Sequence, residues 1–187
     1  MESSYKENNY YDIFYAIVEG SQPSKSVELG ILHGYSTKAI GDAMRDNKFG
    51  HLDAYDLFED YEFNHGNFNE IQEQFKDNPY VDIFKEDAFK VHEKYGPKSI
   101  DFLHVDLHND ASTIRTIMEL WNDKIMYGGM IIFEGGSEER DNVDWMLKYN
   151  KEPMKPELET NRIIEDNVYV FATYLKFPSL TVLLKKS

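Results

Sequence analysis

The 187-residue sequence contains no cysteine. Without thiols there is neither a disulfide framework nor a thiolate metal site. Basic residues are also scarce: 20 Lys plus Arg stand against 34 Asp plus Glu, a formal charge of -14 at pH 7. A field of that sign repels phosphate backbones and anionic lipid, which makes nucleic acid and membrane surfaces poor partners. No apolar run approaches the ~20 residues that a membrane span requires. The segment Met1–Tyr11 is polar and lacks the apolar core of a secretory signal. These absences predict a soluble, cytoplasmic protein. Two cofactor signatures are missing as well. No Gly-Lys-Ser/Thr occurs, which removes the phosphate-cradling loop, and a dinucleotide-binding G-x-G-x-x-G would need glycine at Leu32 and Tyr35.

What is present points to a folded chain. Hydrophobic residues make up 41% and aromatic residues 14%, too many for a disordered segment. The length fits one domain spanning 1–187. The chain is organised around Val27–Thr37, where a short apolar run meets Glu28 and Gly30, and Gly34 follows four positions later. A helical pattern (Ala39, Ile40, Ala43, Met44) begins at once, so the stretch reads as strand, tight turn, helix. Glycines at such a turn allow positive φ and a close ligand approach, and the helix start offers unpaired N–H groups.

Taken in order, residues 1–9 read as a frayed polar end, followed by a helix over Tyr11–Glu19 closed by Gly20–Ser24. Strands are predicted at Ser26–Leu29, His51–Tyr55, Tyr80–Phe84, Ile100–Val105 and Met130–Phe133. Helices are predicted between them, over about 37–45, Glu59–Asp77, Ala88–Tyr95 and from Ala111 towards Tyr127-Gly128-Gly129. Ser137 reads as an N-cap with Glu138 and Glu139 in its first turn. Residues 150–166, with Pro153, Pro156 and many charges, read as a loop. Strands at Val168–Leu175 and Leu180–Leu184 finish the chain, and their short connection requires them to be antiparallel neighbours. Strand–helix alternation up to residue 148 predicts an α/β fold, a doubly wound and mostly parallel sheet with a C-terminal antiparallel hairpin. Ligands of such sheets bind beyond the carboxyl ends of the strands. Those ends carry Glu28, Asp56, Asp87, Asp106 and Glu134.

The pattern Glu28-x-Gly30-x-x-x-Gly34-x-Ser36 resembles motif I of the class I S-adenosylmethionine (SAM)-dependent methyltransferases. Gln22-Pro23-Ser24, Gly34-Tyr35-Ser36, the Asp101–Asp106 strand and Gly128–Gly136 are similar to the catechol O-methyltransferase-like group, and the latter two segments also to the sugar and macrolide O-methyltransferases. The resemblance covers roughly residues 11–148 and implies a seven-stranded Rossmann-like sheet. It implies that Glu28, Gly30, Gly34 and Ser36 surround the methionine end of SAM. Asp56 would bind the ribose hydroxyls, Asp87 with Ala88 and Phe89 would flank the adenine, and Asp106 would lie where cofactor and acceptor meet. An acid-lined cleft suits the positive sulfonium.

The catechol-type enzymes bind Mg²⁺ through an Asp at one strand end and Asp-Asn at the next. Here the positions are Asp106 and Glu134-Gly135, which leaves Mg²⁺ or another divalent cation on Asp106 and Glu134 an open option. The lysine those enzymes place three residues after the first Asp is Asn109 here, which cannot act as a base. His108 is the substitute candidate, since histidine titrates near neutrality, although a flanking or solvent-facing role is the blander reading. Arg140 and Arg162 could meet an acidic substrate, with surface ion pairs as the plainer alternative. Tyr10, Tyr11, Phe14 and Tyr15 read as core or homodimer surface ahead of closing over an acceptor. The expected activity is methyl transfer from SAM to a hydroxyl of a small molecule: a sugar, polyol or phenol. A non-catalytic ligand-binding or partner module on the same fold is the rival, and an NAD-dependent oxidoreductase is third.

Overall fold

The computed structural model describes residues 3–186. Seven strands form a mixed, mostly parallel sheet, the class that the strand–helix alternation predicts. The chain divides into two compact units, Met1–Val91 and His92–Ser187.

In the first unit, β1 (Ser26–Leu29), β2 (Leu52–Asp56) and β3 (Val81–Lys85) run parallel in the order β3-β2-β1. Every residue of β1 and β2 is buried, as in strands covered on both faces. Three helices accompany them: α1 (Tyr10–Ser21), α2 (Tyr35–Asn47) and α3 (Phe68–Phe75). On α2 the stripe Ala39, Ile40, Ala43 and Met44 is fully buried, the spacing that a helix facing a core must show. Lys48 ends α2 in the left-handed conformation, its N–H donating to the carbonyls of Arg45 and Met44.

Three expectations for this unit need correction. The stretch expected to fray is structured where it is described, residues 1 and 2 lying outside the described residues: Ser4–Asn8 form a 3₁₀ turn whose Tyr5 ring is buried against Tyr10, Phe14 and Tyr35. The helix predicted over 59–77 is only α3, preceded by a 3₁₀ turn at Phe58–Asp60 and an irregular stretch. Glu59 Oε1 accepts from the Phe68 N–H (3.2 Å) and the Phe58 and Phe68 rings meet at 5.4 Å, closing that stretch into a loop. The helix predicted over 88–95 is a 3₁₀ turn at Val91–Lys94.

In the second unit the order is β4-β5-β7-β6, with β4 (Ile100–Val105) parallel to β5 (Ile125–Glu134). β7 (Leu180–Lys185) is antiparallel to both β5 and β6 (Tyr169–Tyr174). Helix α4 (Ala111–Trp121) is capped by Asp110 and buries Ile114, Ile117, Met118 and Trp121. It stops short of the glycine pair. β5 starts five residues before Met130, and the register shift between Ile100↔Ile125 and Phe102↔Met130 leaves Gly128 and Gly129 in an irregular stretch of strand. Ser137 caps α5 (Glu138–Asp141), accepting from the Arg140 N–H, and α6 (Asp144–Lys148) follows. The 150–166 segment is more than a loop. It holds α7 (Met154–Thr160) and a π-helical turn at Ile164–Val168, and Met154, Leu158 and Ile164 are buried.

Candidate functional site

In the first unit the motif I residues do structural work that the sequence only hints at. Glu28 is fully buried in β1, and its two oxygens accept from Ser36 Oγ and Thr37 Oγ1, each at 2.5 Å. A carboxylate deprived of water needs such partners. Here they tie the strand to the first turn of α2. Between them, Gly30 (φ 93°) donates its N–H to the Tyr55 carbonyl, and Gly34 (φ 76°) caps α2. A Cβ at Gly34 would sit 2.8 Å from Phe75 Cε2, so this glycine is required by α3 as well as by its backbone angle.

Asp56, at the end of β2, is the hub. One oxygen accepts from the Ile31 and Leu32 N–H groups (2.7 and 3.0 Å), the other from the Phe58 N–H (2.8 Å) and Asn64 Nδ2 (2.6 Å). Four donors use the acceptor capacity of a carboxylate. Sequence reasoning assigns Asp56 to a ribose diol, whereas in this arrangement Asn64 holds one of the two positions such a diol needs. The loop carrying Asn64 continues over the turn: a Cβ at Gly66 would lie 2.3 Å from the Leu32 carbonyl oxygen. No sequence signal marked Asn64, because its role depends on a loop folding back. Beyond β3, Asp87 Oδ1 accepts from the Phe89 N–H (3.0 Å), and Oδ2 pairs with Lys90 Nζ (3.2 Å). Ala88 is buried and Phe89 half-buried.

The N-terminal aromatics fit the core reading. Tyr10 and Phe14 are buried, while Tyr11 and Tyr15 donate to Asp42 (2.6 Å) and Asp46 (2.7 Å) of α2. His51 meets Asp82 at 3.0 Å and Asp53 at 3.5 Å at the start of β2 and β3, where Lys25 already pairs with Asp53.

In the second unit, Asp106 follows β4 and its Oδ1 accepts from Asn109 Nδ2 (2.7 Å). Burial, then the negative charge of Glu134, pushes the Asp106 carboxyl well above its ordinary value. His108 is exposed, and partial burial of its ring followed by the Lys151 ammonium lowers its pKa. A lowered histidine is neutral at pH 7 and able to accept a proton. Asp110 caps α4 through Thr113 N (3.0 Å) and Ser112 Oγ (2.6 Å).

Arg140 is placed differently from the surface ion pair that its sequence context suggests. It is buried with Glu134: Nε and Nη2 both reach Glu134 Oε1, at 3.0 and 2.9 Å. Its guanidinium lies 5.0 Å over the Trp145 ring. Arg162 is exposed on the stretch before the π-helical turn.

The residues suit an adenosyl sulfonium. A glycine turn gives backbone access, Asp87 offers acceptors for an amino group, Asp56 can accept from a hydroxyl only where Asn64 gives way, and the acids match the positive sulfur. They suit a hard divalent cation poorly. Asp106 Oδ1 and Glu134 Oε1 already accept hydrogen bonds, and a guanidinium adjoins the pair. The next residue, Gly135, has no side chain to offer, its carbonyl accepts from Thr181 Oγ1 (2.8 Å), and a Cβ there would lie 2.6 Å from Met154 Sδ.

Comparison with known proteins agrees with the fold. A family model described as a methyltransferase domain matches residues 27–134. No curated relative matches the sequence. The chain is similar to the S-adenosylhomocysteine (SAH)-bound Podospora anserina methyltransferase PaMTH1, at 16% identity and TM-score 0.69, over 100% of this chain and 80% of that one. A methyltransferase from Geobacter sulfurreducens matches at 15% and 0.66 over 98% and 84% of the two chains. The SAM-bound O-methyltransferase TomG from Streptomyces achromogenes, involved in tomaymycin synthesis, matches at 11% and 0.64 over 98% and 86%. At such identities the likeness is one of fold.

Proposed function

The chain belongs to the methyltransferase-domain family, and from that premise we propose that it transfers a methyl group from SAM to a hydroxyl of a small-molecule acceptor. The observation that carries this reading is the braced glycine turn: Glu28 fixes the start of α2 and Asp56 fixes Ile31 and Leu32. A turn pinned from both sides presents its backbone without reorganisation, which is what positioning a reactant demands. Glu28, Gly30, Gly34 and Ser36 would hold the methionine end. Asp56 would take the ribose once Asn64 yields, and Asp87 with Ala88 and Phe89 would flank the adenine. Bound SAM supplies a methyl on positively charged sulfur; the C–O bond forms as the C–S pair returns to sulfur. His108 would take the hydroxyl proton, and Asp106 would sit beside the reacting groups as a hydrogen-bonding partner.

The negative charge of the chain supports a small acceptor over a nucleic acid. The O-methyltransferase activity of TomG supports oxygen as the acceptor atom. A second reading, a non-catalytic ligand-binding module, draws on Asn109, whose amide donates to Asp106 where catechol-type relatives carry a lysine. Incubation with methyl-labelled SAM and a panel of sugars, polyols and phenols distinguishes them. Label in an extractable methyl ether, with SAH released in equal amount, supports transfer. SAH binding with no labelled product from any acceptor supports the binding module.

A further inference from the structure

Arg140 is only 6% exposed, yet among the described residues its Nη1 has no hydrogen-bond partner, and Asn109 Oδ1 (2% exposed) is equally unpartnered there. Native proteins rarely leave buried polar atoms unpaired, and each exception asks for an explanation. The guanidinium is committed on its other edge to Glu134, and the charges of both Glu134 and Arg140 act on the buried carboxyl of Asp106. Two carboxyls at adjacent strand ends thus share one internal cation. The Trp145 ring lies 5.0 Å from that cation, within reach of a cation–π attraction. The position after Glu134 is closed to a third side-chain ligand, because Gly135 has φ 105° and Met154 Sδ fills the space its Cβ would take.

We propose that Arg140 is a built-in cation occupying the place of a divalent metal at the acceptor end of the site, so that this chain works without one. The inference rests on the methyltransferase reading. A guanidinium is always charged and presents several N–H groups in a fixed fork, so it offers an acceptor oxygen a positive partner without a hydration shell to remove. A divalent ion brought to the same carboxyls would meet its charge at close range, where a low-dielectric setting makes repulsion strong.

The test is titration of the full chain with Mn²⁺, followed by electron paramagnetic resonance and calorimetry, with and without SAH. Wild type, Arg140→Lys, Arg140→Gln, Glu134→Gln and the Arg140→Gln/Glu134→Gln double variant are compared. The expected result is no Mn²⁺ site tighter than millimolar in wild type or Arg140→Lys. Arg140→Gln should gain Mn²⁺ affinity by at least about tenfold, and the double variant should lose it. Micromolar Mn²⁺ binding by wild type that Glu134→Gln abolishes would overturn the proposal. So would a folded Arg140→Gln with no gain, since Arg140 would then be only a structural brace. If Arg140→Gln does not fold, the wild-type titration still decides. Failure to bind SAH would count against the methyltransferase reading itself, whereas SAH binding together with a wild-type Mn²⁺ site would count against this inference alone.

Discussion

Asp56 and Asn64 give the sharpest handle on this chain, because one carboxylate is asked to hold a turn and to receive a cofactor. Asp56→Asn keeps the shape but replaces one acceptor oxygen with an NH₂ group. Of the four donors now served, the two facing that group lose their acceptor and meet another donor. At about 1.5–3 kcal/mol for a hydrogen bond to a charged group, the loss is about 3–6 kcal/mol of stability. That is a large part of the ~5–15 kcal/mol available to a typical domain. Asn64→Ala behaves differently. It removes one half-buried amide, costs about 1 kcal/mol, and frees one acceptor position on Asp56 Oδ1, which keeps the Phe58 N–H. If Asn64 holds the position of a ribose hydroxyl, the energy it no longer contributes to the unliganded state reappears as affinity. SAH should then bind about fivefold more tightly to Asn64→Ala, the factor that corresponds to about 1 kcal/mol. Urea unfolding measures the stabilities and calorimetry the affinities. A tenfold weaker SAH complex for Asn64→Ala would refute the competition argument and make Asn64 itself a ligand contact.

Other parts of the account are open to direct measurement. Gly34→Ala should cost about 2–5 kcal/mol, combining the left-handed backbone with the 2.8 Å approach to Phe75; Phe75→Leu in the same chain should recover only the steric part, as read by chemical denaturation. Leu158→Ala on α7 should lower stability by about 2–5 kcal/mol, because the side chain is 1% exposed; a cost near zero would mean that the 150–166 segment is the surface loop its charges suggest. Burial pushes Asp42 up, but bonds from Lys38 and Tyr11 and the charge of Arg45 outweigh it and hold the carboxyl below its ordinary 3.8. Its stabilisation is therefore complete above pH 3.8 and lost as the pH falls through the lower folded value. Asp42→Asn should flatten the acid limb of a stability–pH curve and leave its slope at pH 7 unchanged. If His108 accepts the acceptor's proton, the pH–rate profile should have an inflection below the ordinary 6.5, and His108→Gln should remove it.

The parts of this fold legible in the sequence are those set by local pattern. The Val27–Thr37 turn could be read because glycines with positive φ sit where strand gives way to helix, and Ile100–Val105 because every residue of it but Asp101 is buried. The α2 stripe and the Ser137 cap follow from helix periodicity and capping chemistry, which act over a few residues. What escaped depends on distant contacts. Tyr5 is ordered by rings from α1 and α2, so a polar composition alone suggested fraying. The helix at 59–77 was truncated because Asn64 and Gly66 fold back onto Asp56 and the Leu32 carbonyl, which outweighs helix propensity over that stretch. Arg140 has the neighbours of a surface residue, Glu138 and Glu139, and nothing in that context marks it as the buried partner of Glu134 six residues earlier. The strand-end acids were found by topology, but their hydrogen-bond partners, which decide what each can still bind, were not.

On the proposed function, the turn between β1 and α2, with Asp56 behind it, receives SAM. Calorimetric titration of the wild-type chain with SAH, with NAD as the control and Asp56→Ala as the disabled site, tests it most directly. The account predicts micromolar SAH binding, its loss in Asp56→Ala, and no heat from NAD. Heat from NAD with none from SAH, or SAH binding that Asp56→Ala leaves intact in a folded protein, would contradict it.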